Sequence, residues 1–131
     1  QTLFMDLAIL LSGIAAGAIL FQTSIIAPSV FKVLEASQAK VFLRTIFPKL
    51  FNMLLVLGTL MLILFLLGKG NIYVAIITML LPFICSRLVP ATNKARDEGN
   101  NEKFKKLHTI SVVLTVIVLL SNLTWIVHSF I

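Results

Sequence analysis

Four long apolar runs constrain the fold of this chain more than any other feature of its sequence. The first run covers residues 7–31 and has no charged side chain over about 25 residues, enough for a helix rising 1.5 Å per residue to cross a hydrocarbon core of about 30 Å. Three further runs cover residues 50–67, 72–88 and 107–131. Because backbone polar groups in lipid must be satisfied internally, these runs predict four transmembrane helices.

The composition agrees with a membrane protein. Apolar residues make up 59% of the 131 residues, whereas a soluble domain is nearer half apolar. We therefore predict an all-α fold, an integral membrane four-helix up-down bundle in which residues 1–131 form one four-span domain. The alternative is three full spans with a re-entrant first segment. The first run is too long for the core of a signal peptide and lacks a basic segment before it, so we expect a retained span.

The basic residues are distributed very unequally between the two ends of such a bundle. Ten of the eleven lie in or beside the first and third connections: Lys32, Lys40, Arg44, Lys49, Arg87, Lys94, Arg96, Lys103, Lys105 and Lys106. Only Lys69 lies in the second connection. The positive-inside rule then predicts that the first and third connections face the cytoplasm, with both termini on the non-cytoplasmic side. We expect anionic lipid as a partner at the cytoplasmic face, and no nucleic acid, because interleaved aromatic residues are missing.

Glycine and proline residues mark the expected helix ends. The stretch 68–71, Gly-Lys-Gly-Asn, predicts a tight turn between the second and third spans. Pro28, Pro48 and Pro90 are interpreted as helix-end prolines, since proline lacks the N–H group that a helix interior needs. Pro48 in particular is predicted to mark a bend or a restart of the chain.

Gly13 and Gly17 lie four residues apart in the first run and predict a face where two helices approach closely. Two arrangements remain open. The face packs within the protein's own bundle, or it joins two copies in a homo-oligomer. We expect association with other membrane subunits or with a second copy.

Five polar side chains around the third connection form the candidate functional site. They are Arg87, Asn93, Arg96, His108 and Ser111. His108 and Ser111 are three residues apart and share one side of a helix, whereas the other three belong to the end of the preceding helix. The set is either an inner-face pocket that binds an anion or a hydrogen-bonding network that satisfies helix-end groups.

A metal or haem site has weak support from residue spacing. His108 and His128 lie 20 positions apart on one predicted helix, roughly 30 Å, so they do not bind one haem or metal ion within a subunit. Met5, Asp6 and His128 are candidates for a copper site at the opposite face, because thioether and imidazole groups suit copper. No cofactor is strongly implied, and no catalytic motif is evident.

Four short motifs together resemble those of the transmembrane protein 205-like family, a domain of unknown function. In chain order they are Ser24-Ile-Ile-Ala-Pro28-Ser-Val-Phe31, Ile46-Phe47-Pro48, Pro90-x-x-Asn93-x-Ala-Arg96-Asp97-Glu98-Gly99 and Phe104-x-x-Leu107-His108-x-x-Ser111. The resemblance implies a four-helix membrane bundle without an established activity. Animal members of that family are linked to export of metal-containing drugs, and the fold is distantly similar to copper-resistance and haem-pathway proteins. Thr115 and Val118 depart from the pattern, which expects Asn and Gln.

These observations leave three hypotheses for function. The first is a small membrane protein without a catalytic site, acting as an accessory subunit of a membrane complex or as a small transporter related to metal export. The second is a haem- or copper-handling membrane protein of the oxidoreductase kind. The third is a module that binds anionic lipid or another anion at the inner face.

Overall fold

The protein, described over residues 2–131 by a computed structural model, consists of helices joined by short turns. Helix α1, Thr2–Phe21, runs through a π-helical turn, Gln22–Ile26, into α2, Ala27–Val33. The remaining helices are α3, Ala36–Leu66, α4, Ile72–Asp97, and α5, Asn101–Ser129.

Four helical segments are long and apolar enough to cross a membrane. They are Leu3–Val33, Ala36–Leu66, Ile72–Asp97 and Asn101–Ser129, so α1, the π-helical turn and α2 together make the first span. No strand occurs in the part of the chain that the structure describes. The predicted all-α, multi-pass membrane fold with four spans is confirmed. The first segment is helical over its whole length and is not re-entrant.

The four spans form a ring in which each helix has two neighbours. Helix α1 packs on α3 and α5, and α4 packs on the same two helices from the opposite side. Within residues 2–131, the diagonal pairs α1–α4 and α3–α5 make no contact. The α3–α4 and α4–α5 contacts are the most extensive, so α4 has the largest share of the helix packing.

The interior is filled by small and branched apolar side chains from every span. Ala15, Ile19, Leu54, Ala75 and Val118 have almost no exposed surface and belong to one cluster. Many larger apolar side chains lie on the outside. Lipid tails are as apolar as these side chains, so close van der Waals packing, rather than exclusion from water, holds such helices together.

Helices α3 and α4 approach closely at Gly58. A Cβ atom on Gly58 would overlap the backbone of Thr78 and Met79, so no larger residue fits there. Gly13 and Gly17 are different: both are exposed, and a Cβ atom on either would meet nothing within 4 Å. The expectation that these two glycines let α1 pack closely within its own bundle is wrong, because α1 turns the opposite face to the core. Their packing against another chain stays a prediction.

The α3–α4 and α4–α5 connections are built in the same way. A glycine with positive φ follows each helix, Gly68 at 101° and Gly99 at 72°, and the N–H groups around it bond back to carbonyls of the last turn. An asparagine then begins the next helix. The side-chain oxygen of Asn71 accepts from two backbone N–H groups, and that of Asn100 accepts from one. Only residues 98–100 separate α4 from α5, so most of the long polar stretch is helical.

Two of the three prolines expected at helix ends lie inside helices. Pro48 is within α3 and Pro90 is within α4, and neither helix ends or restarts there. The interpretation of these two as helix-end residues is wrong, because a proline removes only one backbone hydrogen bond and packing on neighbouring helices compensates for it. Pro28 fits the interpretation better. It is the second residue of α2, at the point where the π-helical turn passes into α-helix.

Gly58→Ala is expected to destabilise the protein by about 2 kcal/mol or more, because the added methyl group must push the backbones of α3 and α4 apart. Gly13→Ala adds the same group where it meets nothing, so its effect is expected to stay within about 0.5 kcal/mol. Reversible unfolding in mixed detergent micelles measures both free energies. Equal effects of the two substitutions would contradict the close approach at Gly58.

Candidate functional site

At the end of the bundle that carries ten of the eleven basic residues, here called the basic end, ion pairs join α3 to α4. Arg44 donates from Nη1 and Nη2 to the carboxylate of Asp97, at 3.2 and 2.7 Å. The Nζ atom of Lys40 lies 2.8 Å from the same carboxylate. Arg44 also donates to the carbonyl oxygen of Asn93 at 3.2 Å. One carboxylate thus binds two basic side chains that lie four residues apart on one face of α3.

The ion-paired carboxylate lies at the last residue of α4, beyond the apolar stretch that spans the membrane. The Arg44 and Lys40 side chains hold the pKa of Asp97 well below its usual range. Because Asp97 is about half exposed, solvent and salt screen the two ion pairs. The ion pairs therefore contribute little to the free energy of unfolding, and their main effect is to align α3 with α4. The predicted candidate site did not include Lys40 or Asp97. The signal for them was the spacing of Lys40 and Arg44 together with the acid that follows Arg96.

A stack of three side chains crosses the α4–α5 connection. The guanidinium carbon of Arg96 lies 4.7 Å from the centroid of the Phe104 ring. The imidazole of His108 stacks on that ring, with centroids 5.5 Å apart and planes 8° apart. A cation over an aromatic face is attracted by the ring quadrupole. The structure therefore brings together two of the five candidate site residues, Arg96 and His108, through an aromatic residue of the same motif.

The other three candidate residues lie in separate surroundings. Arg87 lies 6.0 Å from the centroid of Phe83, one turn earlier on its own helix. Asn93 takes part through its backbone carbonyl, which accepts from Arg44 as described above. The carbonyl oxygen of Ser111 accepts from the thiol of Cys85 at 3.7 Å. The five residues thus divide among different contacts instead of lining one pocket, and ligand binding by any of them stays a prediction.

A second group of polar side chains lies inside the bundle. The side-chain amide of Asn122 donates to the hydroxyl of Thr78 at 2.9 Å and to the carbonyl of Val118 at 2.8 Å. Asn122, Thr78 and Ser12 are each 0% exposed. The side-chain oxygens of Asn122 and Ser12 have no hydrogen-bond partner among the described residues. The sequence prediction did not include these three residues, whose only signal is a polar side chain within three of the four apolar runs.

Gln22 is a further buried polar residue, at the start of the π-helical turn. Its side chain is 3% exposed, and its Nε2 atom has no partner in the described part of the chain. The N–H group of Ala27 bonds to the carbonyl of Gln22, five residues earlier, which is the π-helical pattern. Thr23 donates to the carbonyl of Ile19 at 2.8 Å. The wider turn eases the entry of the proline ring that follows.

The candidate copper residues lie at the opposite end, here called the turn end because it contains the 68–71 turn. Met5 is half-buried, whereas Asp6 and His128 are exposed. Among residues 2–131, no three His, Cys, Asp or Glu side chains come together in a way that would hold a metal ion. His128 instead borders an open groove between α4 and α5, together with Asn71 and Trp125. A copper site at Met5, Asp6 and His128 stays a prediction.

Asp97→Asn removes the charge that binds Lys40 and Arg44, so the basic ends of α3 and α4 are expected to open more often. Amide hydrogen exchange over residues 40–48 should accelerate about two- to fivefold, while the turn-end halves of the helices stay unchanged. Glu98→Gln is the matched control, because Glu98 has no ion pair within the described chain. If both substitutions change exchange equally, the ion pairs do not align the helices.

Comparison with known proteins identifies the family of this chain. Residues 10–128 match the family described as Domain of unknown function (DUF4149). The matched stretch includes the ion-paired residues, the aromatic stack and the buried polar group described above. No curated protein and no solved structure matches the chain. Because the match covers most of its length, this small multi-pass membrane protein belongs to the DUF4149 family, a domain of unknown function.

Proposed function

We propose that the protein is a non-catalytic membrane subunit that associates laterally, through α1, with another membrane protein. The observation that carries this proposal is the outward position of Gly13 and Gly17. Both are exposed, lie four residues apart on one helix face, and leave the space beside them open. In lipid, small residues at this spacing let a second helix approach closely enough for backbone contact.

The residues around the two glycines complete a surface suited to a second helix. Leu10, Leu20 and Phe21 are about half exposed and flank the glycines on the same side of α1. Together they form a groove with a floor of glycine backbone and walls of apolar side chains. A helix seated there gains van der Waals contacts that loosely packed lipid tails provide less well.

The other hypotheses have less support from the geometry. The transporter hypothesis includes the narrower resemblance to the transmembrane protein 205-like family and to metal-drug export. It has less support because no described span carries an ionisable side chain in its apolar middle. The haem and copper hypothesis has less support because no three His, Cys, Asp or Glu side chains cluster among residues 2–131. We place the basic end on the cytoplasmic side and both termini on the other side, on the strength of the positive-inside rule.

Gly13→Ile and Gly17→Ile are expected to reduce the recovery of the complex from native membranes at least about fivefold, because a bulky side chain then fills the groove. Mild-detergent purification followed by cross-linking and mass measurement is the assay. Thr59→Ile is the matched control, since Thr59 is exposed on α3 and bonds only to its own helix. An isolated monomer, or equal loss with Thr59→Ile, would contradict lateral association through α1.

A second function is binding of anionic lipid at the basic end. It is favoured by the number of basic side chains there that make no ion pair within the described chain. Eight basic side chains make no ion pair in the described chain: Lys32, Lys49, Arg87, Lys94, Arg96, Lys103, Lys105 and Lys106. Each charge near a membrane surface contributes about 1 kcal/mol of attraction to anionic lipid. Arg87 and Arg96 differ from the lysines because aromatic rings orient their guanidinium groups.

If the two arginines form a lipid site, replacing both with Gln should weaken phosphatidylglycerol binding about tenfold or more. Replacing Lys105 and Lys106 with Gln removes the same charge and should have a smaller effect. Native mass spectrometry of protein released from mixed-lipid nanodiscs counts the bound lipids. If the two double variants lose lipid binding equally, the two arginines form no specific lipid site, and the binding is a general attraction between basic residues and anionic lipid.

A further inference from the structure

The open groove between α4 and α5 lies on the outside of the bundle, in its turn-end half. Its volume is about 510 Å³, within the range of sites that hold small organic molecules. Asn71 and His128 border it, together with apolar side chains that include Ile77, Ile117 and Leu120. The groove thus combines a few polar side chains with a largely apolar wall, as binding sites for small molecules do.

The hydrogen bond between Asn122 and Thr78 shows which residues of the two groove helices lie at the same level. Asn71 precedes Thr78 by seven residues, about 10 Å towards the turn end. His128 follows Asn122 by six residues on the antiparallel helix, about 9 Å in the same direction. Ile117 lies about 8 Å from that bond in the opposite direction. The groove is therefore polar where the helices end and apolar over the depth of one leaflet, about 15 Å.

The polar part of the groove contains hydrogen-bond donors that the described chain does not use. The Oδ1 atom of Asn71 accepts from the N–H groups of Tyr73 and Val74, which fixes the orientation of the amide. The Nδ2 atom of Asn71 therefore remains a donor without an acceptor among residues 2–131. Trp125 accepts from Ser129 at its carbonyl, whereas its indole N–H group has no acceptor in the described chain. Both free groups only donate, so a molecule that fits them must carry acceptors.

The side chains around the groove favour a flat, uncharged head group. None of the lining residues is Lys, Arg, Asp or Glu. A phosphate head group brought there loses hydration without meeting a basic side chain, which is costly. Trp125 and Tyr73 both line the groove, and aromatic faces pack well against a second flat ring in an offset stack.

We propose that this groove binds an isoprenoid quinone. The head of a quinone is flat and uncharged, and its carbonyl oxygens only accept hydrogen bonds, which matches the free donors of Asn71 and Trp125. Its prenyl tail is apolar and lies along the apolar wall of the groove, within one leaflet. The groove is independent of the surface on α1 that Gly13 and Gly17 form, so each proposal can fail without the other.

Fluorescence quenching tests the proposal, because Trp125 is the single tryptophan of the chain and quinones quench indole fluorescence on contact. A short-tailed prenyl benzoquinone, titrated into the protein in lipid nanodiscs, is expected to quench Trp125 with saturation. Asn71→Asp keeps the oxygen that begins α4 but removes the Nδ2 donor, so it should weaken binding about tenfold. Asn100→Asp is the matched control, because it makes the same change at the start of α5, at the basic end.

Four results would overturn the proposal. Quenching that does not saturate would mean that the quinone only dissolves in the lipid. Equal weakening by Asn71→Asp and Asn100→Asp would mean that the Asn71 donor does not bind it. Displacement of the quinone by an equal concentration of diacylglycerol, which has ester carbonyls but no ring, would assign the groove to an acyl lipid. Loss of saturable quenching when several copies share one nanodisc would assign it to a second copy of the chain. The titration of unmodified protein decides the question even if a variant fails to fold.

Discussion

The backbone contact between α3 and α4 at Gly58 is the constraint on which the rest of the structure depends. It fixes the antiparallel register of the two helices in the middle of the membrane. Fourteen residues towards the basic end, Arg44 of α3 meets Asn93 of α4, which is also fourteen residues from Met79. The two helices therefore keep one register from the bundle centre to the basic end. There the Asp97 carboxylate adds a second, polar attachment.

A polar contact inside the membrane contributes to the pairing of α4 with α5. Asn122 and Thr78 connect α4 to α5 with a hydrogen bond that an apolar core would not require. A polar group buried without a partner is costly, so such a bond disfavours any alignment of α5 that leaves it unmade. Ser12 is a further fully buried polar residue, on α1, the helix whose attachment to the bundle is least extensive. Pairing by polar groups thus supplements the close packing of small side chains.

The sequence predicts the number and type of the spans well, because a charge-free run of about 25 residues has few alternatives in lipid. It predicts the contacts poorly. Gly13 and Gly17 have the spacing of a packing face but point outward, whereas Gly58, without a small partner four residues away, makes the close contact. Spacing shows that small residues share a face, but only the positions of the neighbouring helices decide which face is inside. The same limit applies to Arg87, which the sequence groups with the other candidate site residues although its side chain lies in different surroundings. A predicted helix end carries no information about the direction of its side chains.

The distribution of charge has a consequence for how the protein responds to its surroundings. At the turn end the formal charges of Asp6 and Lys69 cancel. At the basic end ten basic residues stand against four acids, Glu35, Asp97, Glu98 and Glu102, so the whole net charge of +6 resides there. Helix α4, with 26 residues, is about 39 Å long, roughly five times the distance over which physiological salt screens a charge. The protein is thus electrically one-sided. A change in lipid charge or ionic strength therefore acts more strongly at the basic end than at the turn end, where the net formal charge is zero.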